Sequence, residues 1–270
     1  MNVISIEKLT RDYGGGKGIF DLSFQVNEGE VFGFLGPNGA GKTTTIRHLM
    51  GFIKPKSGKC AIQGVDCWTG RSEIQRNLGY IPGEISFFDD MTGTDYLKFV
   101  SGYRKLGKAN RTKELMDRFQ LDAKGKIKKM SKGTKQKLGI VSAFMHDPDI
   151  LILDEPTTGL DPLMQNRFIE LLAEEKKKGK TILLSSHIFE EVERTCDRVG
   201  IIRAGKLVTV DSVESLRKRH VRSYQVTLAS EELAKAFAED FGGDQEGTKV
   251  TVAAKQSLED IFMHYYGGVK

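Results

Sequence analysis

The segment Gly36-Pro37-Asn38-Gly39-Ala40-Gly41-Lys42-Thr43 constrains the fold of this chain more than any other. It fits the spacing G-x-x-x-x-G-K-[ST] of a phosphate-binding P-loop. Its flanks suit that reading. Residues 31–35 predict a short buried strand, and residues 44–50 predict a helix stopped by Gly51. Glycines let the backbone curl so that successive N–H groups point at phosphate oxygens. The helix N-terminus adds about half a positive charge. Lys42 reaches the β- and γ-phosphates, and the Thr43 hydroxyl can ligate Mg²⁺. The candidate phosphate contacts therefore run from Gly36 through Thr44. A second glycine cluster, Gly14-Gly15-Gly16-Lys17-Gly18, lacks the spacing and the helix, and is expected to be a flexible surface loop.

Asp149-Ile150-Leu151-Ile152-Leu153-Asp154-Glu155-Pro156 supplies the next element. The apolar run predicts a strand buried on both faces, as in a parallel sheet. Ligands meet an open α/β sheet at the carboxyl ends of its strands. Asp154 is placed to hold the Mg²⁺ shell, and Glu155 to orient or deprotonate an attacking water. Two surface acids capping a strand are the bland alternative, and the P-loop upstream weighs against it.

Between these motifs stands Met130-Ser131-Lys132-Gly133-Thr134. With it the chain resembles the nucleotide-binding subunit of ABC (ATP-binding cassette) transporters, whose signature reads Leu-Ser-Gly-Gly-Gln. Met130, Lys132 and Thr134 depart from that pattern, while Ser131 and Gly133 keep it. The resemblance implies that Ser131, Lys132 and Gly133 meet the γ-phosphate of a nucleotide held by a second subunit. Along nearly the first 220 residues it implies further roles. Tyr13 matches the adenine-stacking aromatic, a contact worth ~1–3 kcal/mol. His187, after the apolar run 181–184, matches the histidine that bonds γ-phosphate. Gly159-Leu160-Asp161 matches the loop that contacts the partner subunit, so Asp161 is a candidate dimer contact. One position is off-pattern: after Ile81-Pro82 the family carries Gln, and this chain carries Gly83 followed by Glu84. Glu84 is either a Mg²⁺ or water contact or a solvated loop acid.

The expected fold class is α/β. It comprises a P-loop NTPase core, a flanking antiparallel β subdomain from residues 3–9, 22–26 and 59–65, and a helical subdomain over about 84–145. A nucleotide-binding domain over 1–210 is followed by a small C-terminal α+β appendage over 211–270. The last helix is expected to open at Ser257-Leu258-Glu259-Asp260. The tail Leu258-Glu259-Asp260-Ile261-Phe262 resembles cassettes of the bacterial drug and polysaccharide exporter branch.

At 270 residues the chain can bury roughly three-quarters of its unfolded surface, enough for a core and an appendage. No window approaches 18 consecutive apolar residues, so no membrane-spanning helix is expected. Met-Asn-Val-Ile-Ser-Ile-Glu-Lys is not a secretion signal. Cys60, Cys67 and Cys196 are odd in number and not at metal spacing, and read as reduced cytosolic thiols. The net charge is +5. The basic runs at 124–129, 176–178 and 217–219 lack interleaved aromatics, so solvated helix faces explain them better than nucleic acid. A basic surface also suits an anionic inner leaflet.

Together with the resemblance, these readings imply an ATP- and Mg²⁺-dependent ATPase, cytoplasmic and peripheral on the inner face of the cell membrane. Two subunits, alike or related, would pair around ATP and drive a separate integral membrane permease. The short tail leans towards export. The alternatives are a soluble cassette acting on ribosome or DNA, and a nucleotide-gated regulatory module. A single P-loop without coiled-coil insertions argues against the first. Intact Lys42, Asp154, Glu155 and His187 argue against the second.

Overall fold

The computed structural model describes residues 1–88, 90–107, 110–219 and 221–255. In chain order its elements are β1 (Asn2–Gly14), β2 (Lys17–Asn27), β3 (Val31–Leu35), α1 (Lys42–Leu49), β4 (Ser57–Ile62), β5 (Val65–Asp66), α2 (Arg71–Asn77), β6 (Leu78–Ile81), α3 (Gly93–Tyr103), α4 (Thr112–Arg118), α5 (Lys132–Phe144), β7 (Ile150–Asp154), α6 (Pro162–Lys177), β8 (Thr181–Ser186), α7 (Phe189–Thr195), β9 (Arg198–Arg203), β10 (Lys206–Ser212), α8 (Val213–Arg219), β11 (Val221–Thr227), α9 (Glu231–Phe241), β12 (Asp244–Glu246) and β13 (Lys249–Lys255). The chain divides into two compact units, Met1–Val210 and Asp211–Lys270. No helix among the described residues is long and apolar enough to cross a membrane.

Alternation builds the flanking sheet, whose order is β2-β1-β4-β5. Ile4, Ile6 and Leu9 of β1 and Leu22, Phe24 and Val26 of β2 are buried on one face. Phe24 stacks on Phe32 of β3 with ring centroids 5.2 Å apart, joining this sheet to the central one. Two sequence expectations are corrected here. Gly14, Gly15 and Gly16, at φ 87°, 61° and 75°, form the tight turn of the β1–β2 hairpin rather than a loose loop. The single strand expected at 59–65 is split into β4 and β5, because Gln63 and Gly64 turn at φ 50° and 78°.

The central sheet has the order β10-β9-β3-β8-β7-β6. Every residue of β3, β7 and β8 is buried, as strands covered on both faces must be. The pairs β6–β7, β7–β8, β8–β3 and β3–β9 are all parallel, so their carboxyl ends lie along one edge. In the helical segment, Thr92 caps α3 by accepting the Asp95 N–H at 3.1 Å. Helix α4 is tied to α6 by Arg118, whose guanidinium donates to both oxygens of Glu174 at 2.6 and 2.8 Å. Lys176 and Lys178, expected as a solvated run, pair with Asp197 (2.5 Å) and Glu175 (3.0 Å).

In the second unit the sheet order is β11-β13-β12. Ser230 caps α9 through the Leu233 N–H at 3.3 Å, and Gly242 at φ 67° ends it. Strand β12, Asp-Gln-Glu, carries no strand-forming residue and exists through its pairing with β13. The helix and tail expected at 257–262 lie outside the described residues.

Candidate active site

Parallel pairing brings four chain reversals together at one edge of the central sheet. The loop 36–41 follows β3, Glu155 follows β7, His187 follows β8, and Gly83 and Glu84 follow β6. Register places Leu35 opposite Ser186, Asp154 opposite Ser185, and Ile81 opposite Leu153.

The loop after β3 needs its glycines. A Cβ at Gly36 would come 2.6 Å from the Ile202 carbonyl oxygen. At Gly41, φ is 114° and a Cβ would lie 2.7 Å from the Ile19 Cγ2. The loop feeds α1, whose first residue is Lys42. Lys42 is 5% exposed, and its Nζ donates to the carbonyls of Gly36 (2.5 Å) and Pro37 (3.2 Å). The same ammonium lies 3.1 Å from Glu155 Oε1. The other oxygen of that carboxylate, Oε2, accepts from His187 Nδ1 at 2.5 Å. Glu155 sits at φ 51°, a left-handed backbone rare for a side chain of this size. Its N–H donates to the Ser185 carbonyl at 3.1 Å, which holds the bend.

Asp154 is fully buried. The Ser185 hydroxyl donates to its Oδ1, while Oδ2 has no hydrogen-bond partner. Gly83 stands against that free oxygen. Thr43 and Thr44 line the cleft at the start of α1.

Lys42, Thr43, Thr44, Gly83 and Glu155 border an open cleft of about 470 Å³ that also reaches Tyr13, Arg47 and Glu84, while Asp154 and His187 do not line it. Tyr13 is half exposed, with the Arg11 guanidinium 5.3 Å from its ring centroid. Glu84 is an exposed residue on the cleft wall.

Other sequence-predicted residues stand elsewhere. Ser131 caps α5, its Oγ accepting the Thr134 N–H at 3.1 Å. A Cβ at Gly133 would lie 2.7 Å from the Gly159 carbonyl oxygen, and the Lys132 stem packs over Gly159. Gln136, buried in α5, donates to the Pro156 carbonyl at 2.6 Å. The segment 131–133 is thus braced against the loop that follows Glu155, and none of its residues lines the cleft. Asp161, expected at a dimer contact, caps α6 within the chain, its Oδ1 accepting the Met164 N–H at 3.0 Å.

Sequence reasoning missed Ser185 and Arg47. The pair Ser185-Ser186 at the end of an apolar run is a weak signal for the first. Which strand lies beside β7 decides its role, and the sequence does not state that.

The ABC transporter family pattern matches residues 19–158. The bacitracin transport ATP-binding protein BcrA of Bacillus licheniformis is 39% identical, over 98% of both chains. The linearmycin resistance ATP-binding protein LnrL of Bacillus subtilis is 35% identical, over 80% of this chain and 71% of its own. A solved ATP-binding subunit of an ABC transporter superposes with a TM-score of 0.73 at 32% identity, covering 80% of this chain and 92% of the other.

Proposed function

This chain belongs to the ABC transporter family as an ATP-binding, ATP-hydrolysing subunit, and we propose that it works in a pair that drives a membrane exporter. Residues 1–210 are the nucleotide-binding domain and 211–270 an appendage for dimer support or regulation. Lys42 neutralises the β- and γ-phosphates, and backbone N–H groups from Gly36 to Thr44 cradle them. Tyr13 stacks on the base. Glu155 accepts a proton from the attacking water, and His187 holds that carboxylate and meets the γ-phosphate.

The observation that carries this reading is the Lys42–Glu155–His187 chain of contacts at the sheet edge. Lys42 now spends its charge on Glu155 and two carbonyls. A γ-phosphate entering the cleft competes for that ammonium and frees Glu155 to face water. Ser131, Lys132 and Gly133 lie outside the cleft, so the matching segment of a second subunit, alike or related, would complete it.

Asp154 and Thr43 would hold Mg²⁺. The fit rests on the buried, unpartnered Asp154 Oδ2 and on a donor set of hard oxygens. Few protein ligands suit a cation that keeps much of its water. Bound there, Mg²⁺ would neutralise charge building on the phosphates. Glu84 serves the site as a rim acid.

The names of relatives support export, since transport of bacitracin and resistance to linearmycin both fit removal of a toxic compound. They give no support to action on ribosome or DNA. The partner is then an integral permease, with this subunit on the cytoplasmic face. The test is a pull-down of tagged Glu155→Gln protein with ATP from solubilised host membranes. A polytopic membrane protein should co-purify. Recovery of ribosomes, DNA or soluble proteins alone would refute the exporter reading.

A further inference from the structure

Behind Glu155 lies an acid that this mechanism does not use. Glu191, on α7, is 3% exposed. Its Oε2 accepts the Ser186 hydroxyl at 2.7 Å. Ser186 Oγ in turn accepts the Ile188 N–H at 2.9 Å. These two bonds bracket His187 on both sides. The Thr157 hydroxyl also acts on the carboxyl, and Thr157 is two residues beyond Glu155. Glu191 Oε1 is buried and makes no hydrogen bond, and the residue lines a cavity of about 180 Å³ shared with Thr157, Gln165, Asn166 and Ile188.

A buried carboxyl with one oxygen unsatisfied is costly to keep. Burial pushes this one up to about 7, Ser186 and Thr157 oppose that, and Glu155 adds to it. A core position would hold an apolar residue more cheaply. What Glu191 offers in exchange is a hydrogen bond aimed at one turn, the turn that presents His187.

We propose that Glu191 is a positioning residue of the ATPase site: through the Ser186 hydroxyl it fixes the turn 186–188 and so sets how the His187 imidazole meets Glu155. The proposal rests on the reading of Glu155 and His187 as the hydrolytic pair. Glutamine at 191 keeps an oxygen for the Ser186 hydroxyl, whereas alanine removes it.

The experiment compares steady-state ATP hydrolysis by full-length Glu191→Ala, Glu191→Gln and Glu155→Gln proteins. Loss of the alanine variant's link should lower kcat at least roughly tenfold while KM for ATP stays within about threefold, and Glu191→Gln should stay within about threefold of wild type. In parallel, the ring nitrogen resonances of His187, assigned through a His187→Asn variant, should shift in Glu191→Ala and not in Glu191→Gln. If the alanine variant does not fold, Ser186→Ala cuts the same link and carries the same expectation. Wild-type kcat in the alanine or Ser186→Ala variant, or an unmoved His187 ring, overturns the proposal. Glu155→Gln separates the two levels. Should it hydrolyse ATP at the wild-type rate, the hydrolytic pair itself is wrong. Should it be inactive while Glu191→Ala runs at full rate, only the positioning role fails.

Discussion

Gly83 stands so close to Asp154 that a Cβ at position 83 would lie 2.9 Å from Asp154 Oδ2. The family places Gln there, yet in this chain the carboxylate occupies the space such a side chain would start from. The departure from the pattern and the position of Asp154 are therefore one feature. Adding a side chain should push Asp154 off the position that points its free oxygen at the proposed Mg²⁺ site. Both Gly83→Ala and Gly83→Gln should lower kcat for Mg·ATP, by roughly tenfold if the disturbance is ~1.4 kcal/mol. Raised Mg²⁺ should restore part of the loss. A rise in turnover for Gly83→Gln would mean instead that Asp154 yields and the missing side chain limits the rate.

The Lys42–Glu155 ion pair gives a contrast between two variants. Lys42→Ala removes the main counterpart of the phosphates and should reduce ATP affinity below detection in calorimetry. Glu155→Gln keeps Lys42 and relieves it of its competing partner. It should bind ATP at least as tightly as wild type, lose kcat by roughly 10²–10⁴, the span of a lost general base, and accumulate as an ATP-bound dimer in size-exclusion chromatography. Normal hydrolysis by Glu155→Gln would remove it from the role of base.

The local part of this site was legible in the sequence and the non-local part was not. The loop 36–43 and the strand ending in Asp154 are written in consecutive residues, because glycine spacing and an apolar run each act within one element. His187 was placed by motif order. What the sequence left silent depends on which strands are neighbours: Ser185 beside Asp154, Gly83 beside the same carboxylate, Glu191 behind Ser186. The same holds in the flanking sheet, where positive φ at Gln63 and Gly64 cuts a run that reads as one strand. Conversely, Asp161 shows a local role as a helix cap that motif comparison passed over.

Burial of Glu191 makes stability depend on pH in a defined direction. Its carboxyl is pushed from 4.5 to about 7 in the folded chain. Glu155 and His187 face it from neighbouring elements, with Glu190, Arg194 and Cys196 on its own segment. Between those two values the folded state holds a proton that the unfolded state has released. Rising pH therefore removes stability across this window, by up to about 3 kcal/mol, and the loss is complete above about pH 7. Glu191→Gln abolishes this contribution. Urea unfolding of variant and wild type at pH 5 and pH 8 should show the variant gaining on wild type at the higher pH. An equal difference at both values would place the carboxyl's titration elsewhere.

Glu175 anchors the helical segment to the core in a different way. It is fully buried, and it pairs with Arg111 at 2.7 Å, Lys178 at 3.0 Å and Lys180 at 3.0 Å. Arg111 lies just before α4, while Glu175 is on α6, so one acid joins two parts of the first unit. Arg111 and Lys180 are themselves only 15% and 6% exposed. Removing the acid takes one partner from each of two cations with little water, while Arg111 keeps Glu114 and Asp147 and Lys180 keeps Asp147, so the cost should be about 2 kcal/mol, below the ~3–5 kcal/mol of a buried charge left alone. Glu175→Ala should accordingly lower the melting temperature by roughly 5 °C. The Arg118–Glu174 pair offers the control, because Glu174 is half exposed and water screens it. Glu174→Ala should cost no more than ~1 kcal/mol, despite its two hydrogen bonds of 2.6 and 2.8 Å. If both variants melted together, burial of Glu175 would not be what distinguishes them. The joint between α4 and α6 would then rest on packing rather than on charge.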